Sequence, residues 1–229
     1  MKKTLLAVLF VSAILSPAAQ AFDLGGLASK VGAVAGAVQG TPSELMDEQA
    51  VLVASYTKAS VKVLEAQQIF ANALNLKKDS ESLSKVISSL QSGNLSTSDI
   101  DAVKAQSASM NDKVVSVLKE KQKLTDAQKK ELTNGALVYA EGAVYSAATV
   151  AAAKKFGTSA ADAMKSADVA GKALIAKDVA AGVALSTKFP GQVVELVKGG
   201  KQMFELMQSN GIDTKAAVTK LNDAAQFKL

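Results

Sequence analysis

Cysteine, histidine and tryptophan do not occur in this chain of 229 residues, and no position carries arginine, so all 26 basic residues are lysine. Without thiolate or imidazole, the common nucleophile–base pairs and soft-metal sites cannot be assembled. Without guanidinium the bidentate phosphate clamp is missing. No disulfide can form in any compartment. Proline occurs only three times and alternating β-branched runs are scarce, so little in the chain interrupts long helices or suggests a sheet.

Residues 1–21 carry the three parts of a secretory leader. Lys2 and Lys3 precede an apolar run from Leu5 to Leu15, and Ala19-Gln20-Ala21 follows Pro17 as a small-x-small cleavage site. The run is about half of the roughly 20 residues that a spanning helix needs. Cleavage is expected before Phe22, and with no cysteine to carry a lipid the mature chain is expected to be periplasmic or secreted. Loss of the two leader lysines leaves 24 lysines against 21 acids, or +3. That excess is too mild to call for a nucleic-acid partner.

Beyond the leader, Ala, Lys, Leu, Gln and Glu dominate long stretches. Residues 22–40 form a short Gly-rich amphipathic segment in which Leu27, Val31, Val34 and Val38 recur at helical spacing as one narrow stripe, a candidate partner or membrane surface. Thr41-Pro42-Ser43-Glu44 is a capping box that opens a long helix. Leu45, Leu52, Tyr56, Ala59, Val63, Ala66, Phe70 and Ala73 keep a spacing near 3.5 to about Leu76. After a break at Lys77 to Asp79, a shorter helix holds Leu83, Val86, Ile87 and Leu90 and stops at Gly93. Ser96 or Ser98 caps the next, with Ile100, Val103, Met110, Val114 and Val117 inward.

A second capping box, Thr125-Asp126-Ala127-Gln128, opens a helix to Gly157 that is nearly free of charge from Gly135 to Ala153. Gly142 with Ser146, and Ala143 with Ala147 and Ala151, set small residues one turn apart, which predicts close helix contacts around a buried central helix. Thr158 or Ser159 begins another helix, which Phe189-Pro190-Gly191 is expected to turn. Val193, Val197, Phe204 and Met207 then share a face as far as Asn210-Gly211, and Asp213 caps a last helix with Ala217, Leu221 and Ala224 inward. The reading is all-α, an elongated antiparallel bundle of about six to eight helices with short capped turns, forming a single domain over 41–229.

Candidate chemistry is sparse. The pairs Ser84-Lys85 and Ser29-Lys30 lie in amphipathic or Gly-rich context without the strained elbow of a Ser nucleophile. Asp99 and Asp101 lack the alternating acids of a calcium loop and suit a first helical turn. Glu141 is the one ionisable group in the apolar helix. It is a candidate buried functional carboxylate with a raised pKa, or else a core glutamate bonded to Tyr145 or reaching the bundle edge. No catalytic residue, cofactor or metal is expected.

Leu124-Thr125-Asp126-Ala127-Gln128 resembles the LTxxQ motif of the Spy/CpxP family of helical periplasmic stress chaperones. Leu95-Ser96-Thr97-Ser98-Asp99, the second candidate copy, departs at its second and fifth positions. The resemblance covers five residues and implies a binding role in the envelope. The expected function is accordingly non-enzymatic binding of another envelope protein as partner or client, with Met110, Met164, Met203 and Met207 as adaptable contact material. The alternative is a membrane- or lipid-interacting protein that docks through the stripe from Leu27 to Val38, or inserts the apolar hairpin between Gly135 and Leu185.

Overall fold

Seven α-helices and no strand make up the described residues of the computed structural model, which are 42–93, 95–120 and 123–227. The helices are α1 (Pro42–Ala73), α2 (Lys77–Gln91), α3 (Thr97–Lys119), α4 (Asp126–Ser166), α5 (Val169–Asp178), α6 (Ala180–Ser209) and α7 (Lys215–Gln226). The leader, the stripe of Leu27, Val31, Val34 and Val38, and Thr41 lie outside the described residues.

Local chemistry sets most helix ends. Ser96 Oγ accepts from the Asp99 amide at 3.2 Å while Asp99 Oδ2 accepts from the Ser96 amide at 2.8 Å, a reciprocal cap that holds the Asp99 carboxyl below its usual range. Thr125 and Gln128 make the same exchange at 3.2 and 3.0 Å. Asp168 Oδ1 accepts from the Gly171 amide at 2.7 Å and starts α5. Gly93, Gly211 and Asn75 take left-handed φ values of +87°, +73° and +60°, and each stands just beyond a helix end.

Two boundaries differ from the sequence reading. The turn expected at Phe189-Pro190-Gly191 is absent, because α6 runs straight through Pro190. Proline removes one amide donor there, but Leu185, Phe189, Val193 and Val197 form one buried row across it, and that burial keeps the helix whole. The break expected near Gly157 falls instead at Ala167, where Asp168 supplies the cap. Gly157 stays inside α4 because α6 crosses close by. A Cβ there would lie 3.0 Å from both Cβ and Oγ of Ser186.

Contacts two turns apart give the directions of the helices. Phe70 packs on Gly135 and Val63 on Gly142, seven residues apart on α1 and on α4 but in opposite order, so these helices are antiparallel. Gln49 meets Gly182 and Tyr56 meets Phe189, seven apart in the same order, so α1 and α6 are parallel. Asp101 pairs with Lys188 and Lys104 with Glu195, which gives α3 the same direction. α1, α3 and α6 are thus parallel, and α4, whose 41 residues extend about 60 Å, runs antiparallel to them. α4 packs most extensively against α1, α6 and α7, and Gly142, Ser146, Ala143 and Ala147 are buried as the small-residue spacing predicts, whereas Ala151 is exposed.

Gln49 ties the α5–α6 junction to α1. Its Nε2 donates to the Asp178 carbonyl and its Oε1 accepts from the Gly182 amide, both at 2.8 Å. These backbone groups belong to a helix end and a helix start, which have no partner inside their own helices. Gln49→Ala should therefore cost about 1–2 kcal/mol in chemical denaturation and speed amide exchange at Gly182 before exchange in α4 changes. Unaltered protection at Gly182 would count against the clamp.

Candidate functional site

A buried chain of polar side chains crosses the bundle. Gln67 on α1 is 0% exposed, and its Nε2 donates to the Ser107 carbonyl at 2.9 Å, Ser107 Oγ at 2.9 Å and Asn111 Oδ1 at 2.8 Å. Asn111 Nδ2 donates to the Tyr139 hydroxyl at 3.0 Å, which donates to the Leu196 carbonyl at 3.1 Å. Both ends are backbone carbonyls, which only accept, so every donor direction along the chain is determined. The Tyr139 ring lies between Phe70 and Phe204 at centroid distances of 6.2 and 5.8 Å. Burial pushes its phenol well above the ordinary range, and the Asn111 bond offsets a part of that rise.

The fixed directions leave one atom over. Gln67 Oε1 is buried and has no hydrogen-bond partner among the described residues. Nearby, Ser107 and Asn111 line a cleft of about 100 Å³ between α1, α3, α4 and α6. Ser60, Ser146 and Gln192 add polar groups to its wall, and Val63, Leu64 and Leu196 add apolar ones. Gln192 Nε2 is also shielded from solvent and bonds nothing among the described residues. Lys104 and Glu195, both lining residues, pair at 3.1 Å and join α3 to α6. The cleft thus holds an unused donor, apolar walls and a neutralised pair of charges, with Gln67 behind it rather than among its lining residues.

The sequence candidates lie elsewhere. Glu141, a candidate buried functional carboxylate on one reading and a glutamate reaching the bundle edge on the other, takes the second: its side chain is 39% exposed and Oε1 meets Lys220 Nζ of α7 at 2.9 Å. The helix is apolar around Glu141, but this position faces the seam with α7, where a lysine and solvent both reach the carboxylate. Tyr145, one turn on, is raised by burial first and by the Glu141 charge second, with Lys220 opposing. Ser84 accepts from Gln68 and donates to the Ser80 carbonyl, so it is a packing hydroxyl. Asp101 pairs with Lys188. Met110, Met203 and Met207 are core side chains with no contact surface to offer. Among the described residues no group of three or more Asp or Glu side chains gathers to hold a metal.

All three tyrosines are raised, Tyr56 to about 12 by burial, with Ser60 working against it and Asp101 and Asp99 adding to it. Each phenol holds its proton more tightly folded than unfolded, so above pH 10 the unfolded chain binds fewer protons and stability falls with pH. Tyrosinate absorbance should stay low past pH 10, and stability should drop between pH 10 and about 12 as the Tyr56 site is passed. Normal titration near pH 10 with a cooperative fold intact would contradict the buried placement.

Leu124-Thr125-Asp126-Ala127-Gln128 is accounted for by the capping box that Thr125 and Gln128 form. No protein-family model, no curated protein and no solved structure matches this chain.

Proposed function

We propose that the mature chain is an exported, non-catalytic helical bundle of the bacterial periplasm that binds another envelope protein, adaptor- or chaperone-like, and receives one of its side chains in the cleft between α1, α3, α4 and α6. The observation that carries this reading is the size and chemistry of the cleft. About 100 Å³ falls well short of the roughly 300 Å³ at which pockets for cofactors and drug-sized ligands begin, but suits a group of a few heavy atoms. The unused donor Gln192 Nε2 in its wall favours an incoming polar group over an apolar plug. The leader from Lys2 to Ala21 supports export.

Membrane insertion is the second reading, because α4 is long and apolar enough to cross a bilayer. Against it, 56% of its most apolar window is buried within the bundle, as in the core helix of a soluble protein. A photocrosslinking residue at Ala108, an exposed position on the cleft rim, should give a discrete protein adduct in intact cells, whereas the same residue at Lys177 should give none. No adduct from Ala108, or flotation of the purified protein with liposomes, would overturn the proposal.

A further inference from the structure

We infer that the ion pair of Lys104 and Glu195 is a salt-sensitive gate over the cleft, which admits a guest only when the two side chains part. This rests on the reading of the cleft as the binding site and names what controls entry to it. Of the twelve lining residues only Lys104, Ala108 and Glu195 are exposed, so these three form the rim. Ser60, Val63, Leu64, Val103 and Ser146 are buried and form the floor. Two of the rim residues hold each other across the opening, Lys104 Nζ on α3 meeting Glu195 Oε2 on α6 at 3.1 Å. Gln192, one turn before Glu195, carries the shielded Nε2 that an entering guest would meet.

Exposure and position make this pair easy to open. Its side chains are 47% and 64% exposed, so each can swing into water and regain solvation there without displacing a helix. Beneath them lies the cleft of about 100 Å³, so little besides the pair itself holds the closed arrangement. The seam on either side is tied independently. Before Lys104, Lys188 Nζ meets both Asp101 oxygens at 2.8 Å and fixes α3 to α6. After it, Gln67 Nε2 bonds the Ser107 carbonyl and Asn111 Oδ1 and fixes α3 to α1. The pair between these ties can therefore part while α3 stays in place. Attraction between exposed charges weakens with ionic strength, as the Debye length falls from about 30 Å at 0.01 M to about 3 Å at 1 M. Salt, or a charge on the partner that competes for Lys104 or Glu195, opens the cleft.

The chain has no cysteine, so a single introduced thiol reports access. Ser146→Cys and, separately, Ser60→Cys place it on the floor, and Ser88→Cys on the exposed surface of α2 is the reference for the effect of salt on thiol chemistry. Each mature protein is treated with methyl methanethiosulfonate, a small uncharged reagent. The thiolate sulfur bonds to the methylthio sulfur and methanesulfinate leaves. Relative to Ser88→Cys, the floor rates should rise about two- to fivefold between about 0.01 and 1 M sodium chloride, the range that an exposed ion pair supports. Lys104→Met keeps most of the stem without the charge, and with it the floor thiol should react fast at low salt with no further rise. Exchanging the charges, Lys104→Glu together with Glu195→Lys, should restore the slow, salt-dependent rate. The gate is overturned if the floor rates do not depend on salt, if Lys104→Met leaves them slow, or if the exchanged pair behaves like Lys104→Met. A floor rate that follows the unfolded fraction across urea concentrations assigns access to unfolding and overturns it as well. Salt-independent floor rates together with a crosslinked adduct at Ala108 would retain the partner-binding function and reject the gate. Gated floor rates without any adduct would keep the gate and reject the protein partner.

Discussion

Replacing Gly142 with alanine should destabilise the protein by about 1–3 kcal/mol, although helix propensity alone predicts a gain of nearly 1 kcal/mol. A Cβ on Gly142 would lie 2.7 Å from Val63 Cγ2 and 3.0 Å from the Val63 backbone nitrogen. The Val63 side chain is β-branched and has little rotamer freedom, and the backbone nitrogen belongs to α1 itself, so α1 must move away from α4. That displacement would loosen contacts along the most extensive interface in the bundle. Gly191 provides the comparison. It lies in exposed helix with nothing within 4 Å of its added Cβ, so Gly191→Ala should stabilise by about 0.5–1 kcal/mol. Urea denaturation of both variants checks the pair, and a stabilised Gly142→Ala would mean that α1 and α4 are not held at this distance.

The same close approach explains what sequence reading captures in this fold. Small residues at Gly142, Ser146, Ala143 and Ala147 predict tight packing of the central helix, and Ser96, Thr125, Gly93 and Asn210-Gly211 mark helix ends because capping depends on residues within four positions. Pro190 and Gly157 mislead for the opposite reason. Their local preference is overridden by a buried row on α6 and by the crossing of α4 with α6, which are properties of the assembled bundle. Glu141 leaves two readings open for the same reason, since its neighbours along α4 are apolar while the partner that holds it at the bundle edge, Lys220, comes from a helix 79 residues away.

The cleft leaves a fainter trace. Gln67 stands four residues after Val63 and three before Phe70, an inward position of α1 held by a polar side chain. Asn111 follows the buried Met110, and Gln192 precedes the buried Val193. A polar residue on a core row is the available signal, yet sequence alone does not show that Gln67 bonds Asn111 or that Asn111 and Gln192 line one cleft, because their juxtaposition depends on the parallel register of α1, α3 and α6. The exposed pairing of Lys104 with Glu195 spans 91 residues and has no local signature.

Gln67→Glu is expected to have the largest effect of any isosteric change in the chain. The substitution preserves shape but replaces a buried amide donor with an anionic oxygen facing the Ser107 carbonyl and Asn111 Oδ1, both of which already serve as acceptors. Lysine and arginine are absent from the immediate partners, so the charge goes uncompensated, and at pH 7 the variant should lose about 3–5 kcal/mol of stability. Burial and the facing acceptors both favour the protonated carboxyl, which can donate to Ser107 as the amide does, so its folded-state pKa rises above the unfolded value. The folded variant then binds more protons than the unfolded one, and its stability falls as pH rises from the ordinary glutamate range near 4.3 toward the raised value. The deficit relative to the parent should accordingly be smallest near pH 4 and widen toward pH 7 in paired urea denaturations. Gln67→Leu, which removes the donor together with the unused acceptor, should cost less than the charged variant at pH 7 and show no such widening. Equal deficits for Gln67→Glu at pH 4 and pH 7 would place residue 67 in contact with water, and the buried donor chain from α1 to Leu196 would have to be abandoned.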